Sequence, residues 1–528
     1  MKKVRKKFPL LLALALFVSI ISACSGGNND GSESQPASPD ASLPAAVQSG
    51  ESAKPTGPDT SEEVKLKMVL IGDGAPDAKA VYDELNKKLK QDINATVDVQ
   101  FLSWADWSQK YQLLFSTGDD FDLIITATWA QFADNARKGA FYEITPDVLQ
   151  KYAPRTHSDN LPEVLEAGKV EGKQYALPMN YHEITINGYV VRGDLMDKYG
   201  IASIDSIDDF EKYLDAVVKN EKGMVPWEGT NYDNWIIAKT QLEELREQYQ
   251  PGNLGLRVDL NDPGAKIIDD IANPDQGAID LYKRMADWNK KGYISKNALV
   301  NKVTSKDSFL SGKSAAFLTN LLEANATYQT VKANHPEWDV RFYPANTTKK
   351  VVANSFMANA MAINPKSKNP ERALMLLDLL RNDEWYNQTT TFGLKGKHWD
   401  VSADGKLVLL PASQGYPPDA ACPWGWRNEK YYLSPSDGLS NYDAVQTSYR
   451  GRAINTKLNN FAPNLENTKS QQAALKDVEN QYELPLRLGF VKGDVESSYK
   501  TMIDKKKAAG QEKLIEDIQQ QLNTLLGQ

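Results

Sequence analysis

The side chains of this chain that could do chemistry fall into two groups, and neither is a catalytic set. The first is Cys24, which closes the run Ile21-Ser22-Ala23-Cys24 behind a basic start (Lys2, Lys3, Arg5, Lys6, Lys7) and an apolar stretch from Leu10 to Ile21. That stretch is too short to span a bilayer as a mature helix but suits a signal peptide, and small residues before a cysteine suit cleavage at that cysteine. The pattern is a bacterial lipobox, and it predicts that Cys24 becomes the acylated first residue of an exported protein. The second group sets indole rings beside planar polar groups. Its members are Trp104 with Asp106; Thr128, Trp129 and Gln131; Asn180, His182 and Glu183; Trp227, Glu228, Asn231, Tyr232 and Trp235; and Trp424, Trp426 and Arg427. Flat apolar faces next to such groups suit non-covalent capture of a ligand that carries both apolar faces and hydroxyls.

Bond-breaking chemistry is poorly provided for. The histidines His157, His182, His335 and His398 are scattered, and there is no HExxH, no GxSxG and no cysteine nucleophile. His182 lacks a second histidine at metal-ligand spacing and is read as a structural or hydrogen-bonding residue. Once Cys24 is acylated, Cys422 is the only thiol left, so neither an internal disulfide nor a cysteine metal cluster can form. A glycosidase needs only two carboxylates, and 69 acidic residues leave that alternative open. The expectation is a protein that is not an enzyme, without catalytic residues, cofactor or metal.

Charge and composition narrow the partners. Removing residues 1–23 leaves 56 basic against 69 acidic side chains, a net charge of −13, and apart from Lys505 to Lys507 no basic block survives, so nucleic acid is not an expected partner. Residues 25–63 are rich in Ser, Gly, Pro, Ala and Asp and hold almost no large apolar side chain. They cannot offset the entropy of ordering and are expected to form a disordered tether with a typical reach of about 35 Å. What remains after Val64 exceeds what one core usually organises, so at least two lobes are expected.

The elements that must position the aromatic groups follow from periodicity. Leu66 to Ile71 reads as a buried strand ending in the turn Gly72-Asp73-Gly74; Val81, Leu85 and Leu89 mark a helix; Val97, Val99 and Phe101 alternate as a half-buried strand. A helix is expected around Trp104 to Phe115, then a central strand over Phe121 to Thr126. This is the grammar of a doubly wound parallel sheet, whose ligands gather beyond the carboxyl ends of the strands. Further helices are marked by Ile207, Phe210, Leu214 and Val217 after Ser206; by Leu281, Met285 and Trp288; by Ala373, Leu376, Leu377 and Leu380, with Asn369 as cap and Pro370 in the first turn; and by Leu514, Ile518, Leu522 and Leu525. Trp107, Trp288, Trp338 and Trp385 are assigned to packing rather than to ligand.

The segment from Leu85 to Pro154 resembles the amino-terminal lobe of extracellular solute-binding lipoproteins that serve carbohydrate-uptake ABC transporters. Gly172 to Met179, Arg192-Gly193-Asp194-Leu195, Asp208-Asp209-Phe210, Lys291 to Ile294 and Phe309 to Lys313 keep that family's order. Ser367 to Ala373 and Phe392 to His398 are similar to one branch, the LplA/LipO-like lipoproteins of Gram-positive bacteria. The resemblance implies an α/β, two-lobe type II periplasmic-binding-protein fold with a hinge and an interlobe ligand cleft. By analogy the chain crosses between lobes near Asn180 to Asn187, near Ala353 to Ala360 and after Gly393. The expected parts are a signal peptide (1–23), the lipidated cysteine and tether (24–63), an amino-terminal lobe (64–182 plus 358–400) and a carboxyl-terminal lobe (187–352 plus 401–528).

In function the resemblance implies a monomeric substrate-binding lipoprotein on the extracellular face of the cytoplasmic membrane. It would capture an oligosaccharide, deliver it to the permease subunits of an ABC importer, and touch the membrane only through lipidated Cys24. A sugar-sensing lipoprotein read by a sensor kinase and a secreted glycan-cleaving enzyme are the alternatives. The indole groups named above become the candidate sugar platforms, with Trp424 the leading one. Acidic sugars would need Arg or Lys in the cleft, and only Arg427 and Arg192 qualify, which favours a neutral or acetamido sugar over a uronate. Alginate-binding members carry a calcium loop before a Val-Pro pair; here Asn220-Glu221-Lys222-Gly223-Met224 runs directly into Val225-Pro226 without the oxygen ligands, so no calcium is expected there.

Overall fold

The computed structural model describes residues 58–528 apart from 105 and 119, and leaves the side chains of 231, 232 and 253 undescribed. The lipobox, Cys24 and most of the expected tether lie outside the described residues. The tether's last few residues are held: Arg372 donates to the carbonyls of Asp59 (3.0 Å) and Glu62 (3.3 Å), just before the first strand.

The strands that build the two sheets are β1 (Val64–Ile71), β2 (Ala95–Leu102), β3 (Leu123–Thr126), β4 (Ala176–Pro178), β5 (Asn187–Arg192), β6 (Val225–Trp227), β7 (Ser314–Asn320), β8 (Val340–Pro344) and β9 (Ala360–Ile363). The first sheet has the order β2-β1-β3-β9-β4 and the second β8-β5-β7-β6. In β1, Lys65 and Lys67 still reach solvent while Val69, Leu70 and Ile71 are all buried, as expected where helices cover both faces.

Register fixes which ends of these strands lie together. β1 runs parallel to β2 and to β3, so the chain leaves all three at one edge. β9 is antiparallel to β3 with Ala360 opposite Thr126, and β4 antiparallel to β9 with Pro178 opposite Ala360, so β9 starts and β4 ends at that same edge. In the second sheet, β5 starts where β7 ends (Asn187 opposite Asn320), and β8 ends there too (Pro344 opposite Gly188). The chain therefore crosses from the end of β4 to the start of β5 through 179–186, and returns from the end of β8 to the start of β9 through 345–359. These crossings join the facing edges of the two sheets, where the strand ends named above lie.

The helices follow the apolar spacing read from sequence. In α1 (Ala78–Ile93) Val81, Leu85 and Leu89 are buried, and the helix stops at Asn94 in the left-handed region (φ 48). α2 covers Trp107–Thr117. α3 (Ile207–Asn220) begins with Ser206 Oγ accepting the Asp209 N–H while donating to its carboxylate. α4 covers Asn231–Ala238, and α5 (Gln276–Lys291) buries Leu281, Met285 and Trp288. α6 (Pro370–Asn382) buries the expected four residues, but the Asn369 side chain makes no cap; Ser367 Oγ instead accepts the Asn369 N–H at 3.1 Å. α7 spans Tyr442–Arg452, and in α8 (Gln511–Leu526) Leu514, Ile518 and Leu522 are buried while Leu525 stays 36% exposed.

One expected boundary is displaced. The segment from 401 to about 431, assigned from sequence to the carboxyl-terminal lobe, packs on the first sheet: Cys422 and Trp426 belong to its core, and Tyr416 and Ala421 close over Ala78 and Val81 of α1. Large apolar side chains at Trp399, Tyr416 and Trp426 hold the chain on that lobe, so the third crossing comes after Tyr431 rather than soon after Gly393. Leu439, Tyr442, Val445 and Tyr449 then join Val190, Phe317 and Phe342 of the second lobe. Near the carboxyl end, α8 packs with Leu458 and Phe461 on Leu256, Val258 and Ile267.

Candidate functional site

At the edge of the first sheet where β1, β2 and β3 end, four tryptophans meet. Trp104 sits in the turn after β2, where Ser103 C=O accepts from both Asp106 and Trp107 N–H; Trp107 opens α2; Trp129 follows β3; Trp424 comes from the turn 423–426. Trp104 stacks on Trp424 (centroids 5.8 Å apart, planes at 24°) and lies tilted against Trp129 (6.2 Å, 39°), while Trp107 meets Trp129 edge-on at 5.3 Å. The cluster is a wall whose outermost ring, Trp104, is 47% exposed. Trp129 is fixed because its Nε1–H donates to the Ala358 carbonyl at 2.8 Å, on the second crossing, and the Thr128 N–H donates to Met357 C=O at 2.9 Å. Two glycines make room. Gly72 (φ +131) leaves the end of β1 open beside Trp104 Nε1, and a Cβ at Gly425 would lie 2.8 Å from Met361 Sδ, so only glycine lets the Trp424 turn rest on β9.

Polar groups surround the wall. Thr128 and Gln131 are exposed; Gln131 adopts φ 58, unusual for a non-glycine residue, and its Oε1 accepts from Gln112 Nε2 at 3.3 Å. Asp106 pairs with Lys110 at 2.9 Å, and that hydrogen bond lowers its pKa. Asn180 is held by backbone bonds, its N–H to Arg427 C=O (2.9 Å) and its C=O from Glu429 N–H (3.0 Å). His182 Nδ1 lies 2.9 Å from Glu429, whose other oxygen accepts from Arg450 of α7 at 3.0 Å. Burial would raise the pKa of Glu429, but the bonds from His182 and Arg450 outweigh it and the net shift is downward. Arg427 is fully engaged: Nη2 and Nε donate to Asp419 at 2.9 and 3.3 Å, and Nη1 to Glu183 at 3.3 Å. Burial opposes its charge, and the two carboxylates more than restore it.

Residues 72–387 match the family of bacterial extracellular solute-binding proteins. This chain belongs to that family. Residues 457–526 match a second family, described as a domain of unknown function (DUF3502). A carbohydrate ABC transporter substrate-binding protein of Streptococcus pneumoniae is 23% identical over 479 residues, covering 89% of this chain and 92% of that protein. Among solved structures, the N-glycan transport solute-binding protein NgtS of Streptococcus pneumoniae in complex with Man1GlcNAc superimposes with a TM-score of 0.70 at 20% identity, covering 88% of this chain and 100% of that one. Its complex with Man5GlcNAc gives 0.69 at 19% identity, covering 88% and 99%. The two-lobe fold of these proteins is that of the present chain.

Within this solute-binding protein the sequence candidates divide. Trp104, Trp129 and Trp424 come together with Thr128 and Gln131, and Trp107, assigned from sequence to packing, joins them half-buried. Its spacing of three from Trp104 at a helix start was the available signal. Trp426 and Trp227 are corrected to core residues. In the 423–426 turn Gly425 presses on β9, so Trp424 faces outward and Trp426 inward, where its Nε1–H donates to Thr390 Oγ1 at 2.8 Å. Trp227 lies at the end of β6 and donates from Nε1 to Asp233 at 2.6 Å, a carboxyl that burial pushes up to about 6. Glu228 is also buried, accepting from Ser308 Oγ at 3.0 Å and from Asn301. Arg427 and Glu183 bind each other rather than offering free groups, and Arg192 sits at the far end of β5, paired with Asp194 and stacked over Trp338.

Asn231 and Tyr232 open α4 beyond the end of β6, and Trp235 on that helix is 45% exposed with Lys239 Nζ 5.1 Å from its ring. Of the other tryptophans assigned to packing, Trp288 is fully buried whereas Trp385 is 37% exposed beside Lys88. In the loop before β6, the Glu221 carboxylate is taken by Lys198 at 2.6 Å and by the Tyr199 hydroxyl. Asp419, which sequence reasoning missed, orients Arg427 from a left-handed backbone (φ 64).

Proposed function

We propose that this protein captures a neutral or acetamido oligosaccharide outside the cell on the Trp104–Trp129–Trp424 wall and delivers it to an ABC importer. The observation that carries the reading is the wall itself: Trp104, Trp107, Trp129 and Trp424 meeting at one edge of the first sheet, with Thr128 and Gln131 exposed beside Trp129. Indole faces stack on the C–H faces of pyranose rings, and amides and hydroxyls answer sugar hydroxyls. Arg427 is already neutralised by Asp419 and Glu183, so it has no unpaired charge to offer a uronate carboxylate. NgtS, solved in complex with Man1GlcNAc and with Man5GlcNAc, both neutral acetamido sugars, supports the same class of ligand.

Sugar binding the closed arrangement better than the open one would shift the lobes toward closure, since only differential affinity moves such an equilibrium. Nothing in this scheme needs a covalent step. Calorimetry with mannosyl-N-acetylglucosamine, chitin, plant-wall and uronate oligosaccharides tests it: stoichiometric binding of an intact neutral or acetamido sugar is expected. Release of fragments would identify a glycan-cleaving enzyme, and uronate preference would overturn the charge argument. The lipobox supports membrane attachment through Cys24. Cys24→Ala should appear in the medium, and retention of exported variant on membranes after a high-salt wash would require another anchor.

A further inference from the structure

Glu183 lies on the first crossing yet reaches the back of the tryptophan wall. Its Oε2 accepts from Arg427 Nη1 and from Asn359 Nδ2, both at 3.3 Å, and its backbone carbonyl accepts from the Asn354 N–H at 3.0 Å. One residue thus ties the first crossing to the second and to the turn that carries Trp424. Arg427 is anchored on the first lobe by Asp419, and its guanidinium carbon stands 6.0 Å from the centroid of the Trp424 ring, over its face. Trp424 in turn stacks on Trp104. The contacts form an unbroken series from the hinge to the most exposed indole.

Burial makes this series stiff. The Glu183 and Arg427 side chains are only 17% and 14% exposed, so water cannot freely replace either partner, and separating them would leave a shielded charge unpaired. A twist of residues 179–186 must carry the Glu183 carboxylate with it. Arg427 then either follows, dragging against Asp419 and changing the support beneath Trp424, or loses a partner.

We propose that Glu183 and Arg427 are positioning residues that set the attitude of the Trp424–Trp104 stack according to the state of the hinge. Coupling of this kind is reciprocal: whatever settles on the wall biases the hinge by the same amount that the hinge biases the wall. That sugar is what settles there rests on the function proposed above; the coupling itself is a property of the ligand-free protein.

Fluorine NMR of protein labelled with 5-fluorotryptophan tests it without any ligand. The chain has 11 tryptophans, and the resonances of Trp104 and Trp424 are assigned by single Trp→Phe substitutions. In Glu183→Gln, which keeps an acceptor for Asn359 but loses the charge, both resonances should move or broaden. Those of Trp227 and Trp288, buried in the second lobe, should stay, and the thermal transition should hold within a few degrees. Unmoved Trp104 and Trp424 signals in the folded variant overturn the proposal.

Arg427→Lys keeps the charge but cannot bridge both carboxylates as a fork. It provides the same readout should Glu183→Gln fail to fold: movement of the same two signals supports the coupling, silence overturns it. Titration with mannosyl-N-acetylglucosamine reads the sugar separately. Affinity about two- to thirtyfold weaker in Glu183→Gln is expected, the size usual for residues that act through a network. Wild-type protein that ignored every sugar would count against the proposed function and leave the fluorine result standing.

Discussion

Truncating Trp104 separates a ligand platform from a packing residue. A tryptophan side chain has up to about 250 Å² to bury, so at 47% exposure Trp104 offers about 100 Å² to an incoming sugar. At about 25 cal/mol per Å², covering that area contributes at most about 2.5 kcal/mol, and about 1 kcal/mol if hydroxyls take half the contact. Trp104→Ala should therefore weaken oligosaccharide binding about five- to seventyfold, read by calorimetry with the tightest sugar of the screen. Its stability cost should be small, about 1–2 kcal/mol, because a truncated surface residue leaves no enclosed cavity; the thermal midpoint should fall by only a few degrees.

Trp426→Ala is the control. That ring is fully buried with a satisfied Nε1, and its removal should cost about 3–5 kcal/mol of stability while leaving the affinity of the surviving folded protein within about twofold. Unchanged affinity in Trp104→Ala would refute the wall as a sugar platform. Equal affinity losses in the two variants would show that general destabilisation, not stacking, is being measured.

Arg137 donates from Nη1 and Nη2 to the carbonyls of Pro463 (2.8 Å) and Ala462 (2.7 Å), fastening the segment that packs against α8 onto the first lobe. Arg137→Ala should therefore raise the radius of gyration of the ligand-free protein in small-angle scattering, and an unchanged profile would exclude such a fastening role. Asp233 has its pKa pushed by burial from 3.8 to about 6. A carboxyl raised in the folded state binds more protons there than in the unfolded chain, so its contribution to stability is lost as pH rises from about 4 to about 6. Asp233→Asn should consequently gain on wild type by on the order of 2–3 kcal/mol between pH 4 and 7, seen as converging or crossing melting profiles; parallel profiles would refute the shift. Cys422 is fully buried and its thiol is pushed up to about 12, so thiol reagents should label it only after denaturation. Rapid labelling of the native protein would contradict the packing on the first sheet.

Much of the architecture was legible because it depends on local periodicity. Val81, Leu85 and Leu89 had to share one helix face, the β1 to β3 order had to deliver its loops to one edge, and Ser206 with Asp209 had to start a helix, whatever the rest of the chain did. That the loops after β2 and β3 would meet at one edge followed for the same reason. Two features resisted. The 401–431 segment has short strands and 3-10 turns without a dominant period, so nothing local says which lobe its apolar residues will find. Asn369 looked like a cap, yet its side chain takes no N–H of the first turn while its own N–H goes to Ser367 Oγ, and such choices turn on about 1 kcal/mol.

The sequence by itself determined which residue types were available for capture, the apolar faces of the helices and strands, and the family to which the chain belongs. Only the tertiary structure decided which indoles stay at the surface and which fill a core. Trp424 and Trp426 are two residues apart with the same neighbours, but one stacks under Trp104 and the other fills a core, because Gly425 seats the turn on β9 and sends the two rings to opposite sides. Trp227 and Trp235 diverge in the same way, the first sealed against Asp233 and the second standing on an exposed helix face. The same holds for charge: Arg427 reads in sequence as a free cation for an acidic sugar, and becomes a neutralised strut once folding brings Asp419 and Glu183, 8 and 244 positions away, to its guanidinium. Exposure and pairing are properties of what the fold brings near, and sequence spacing carries no record of a neighbour so far along the chain.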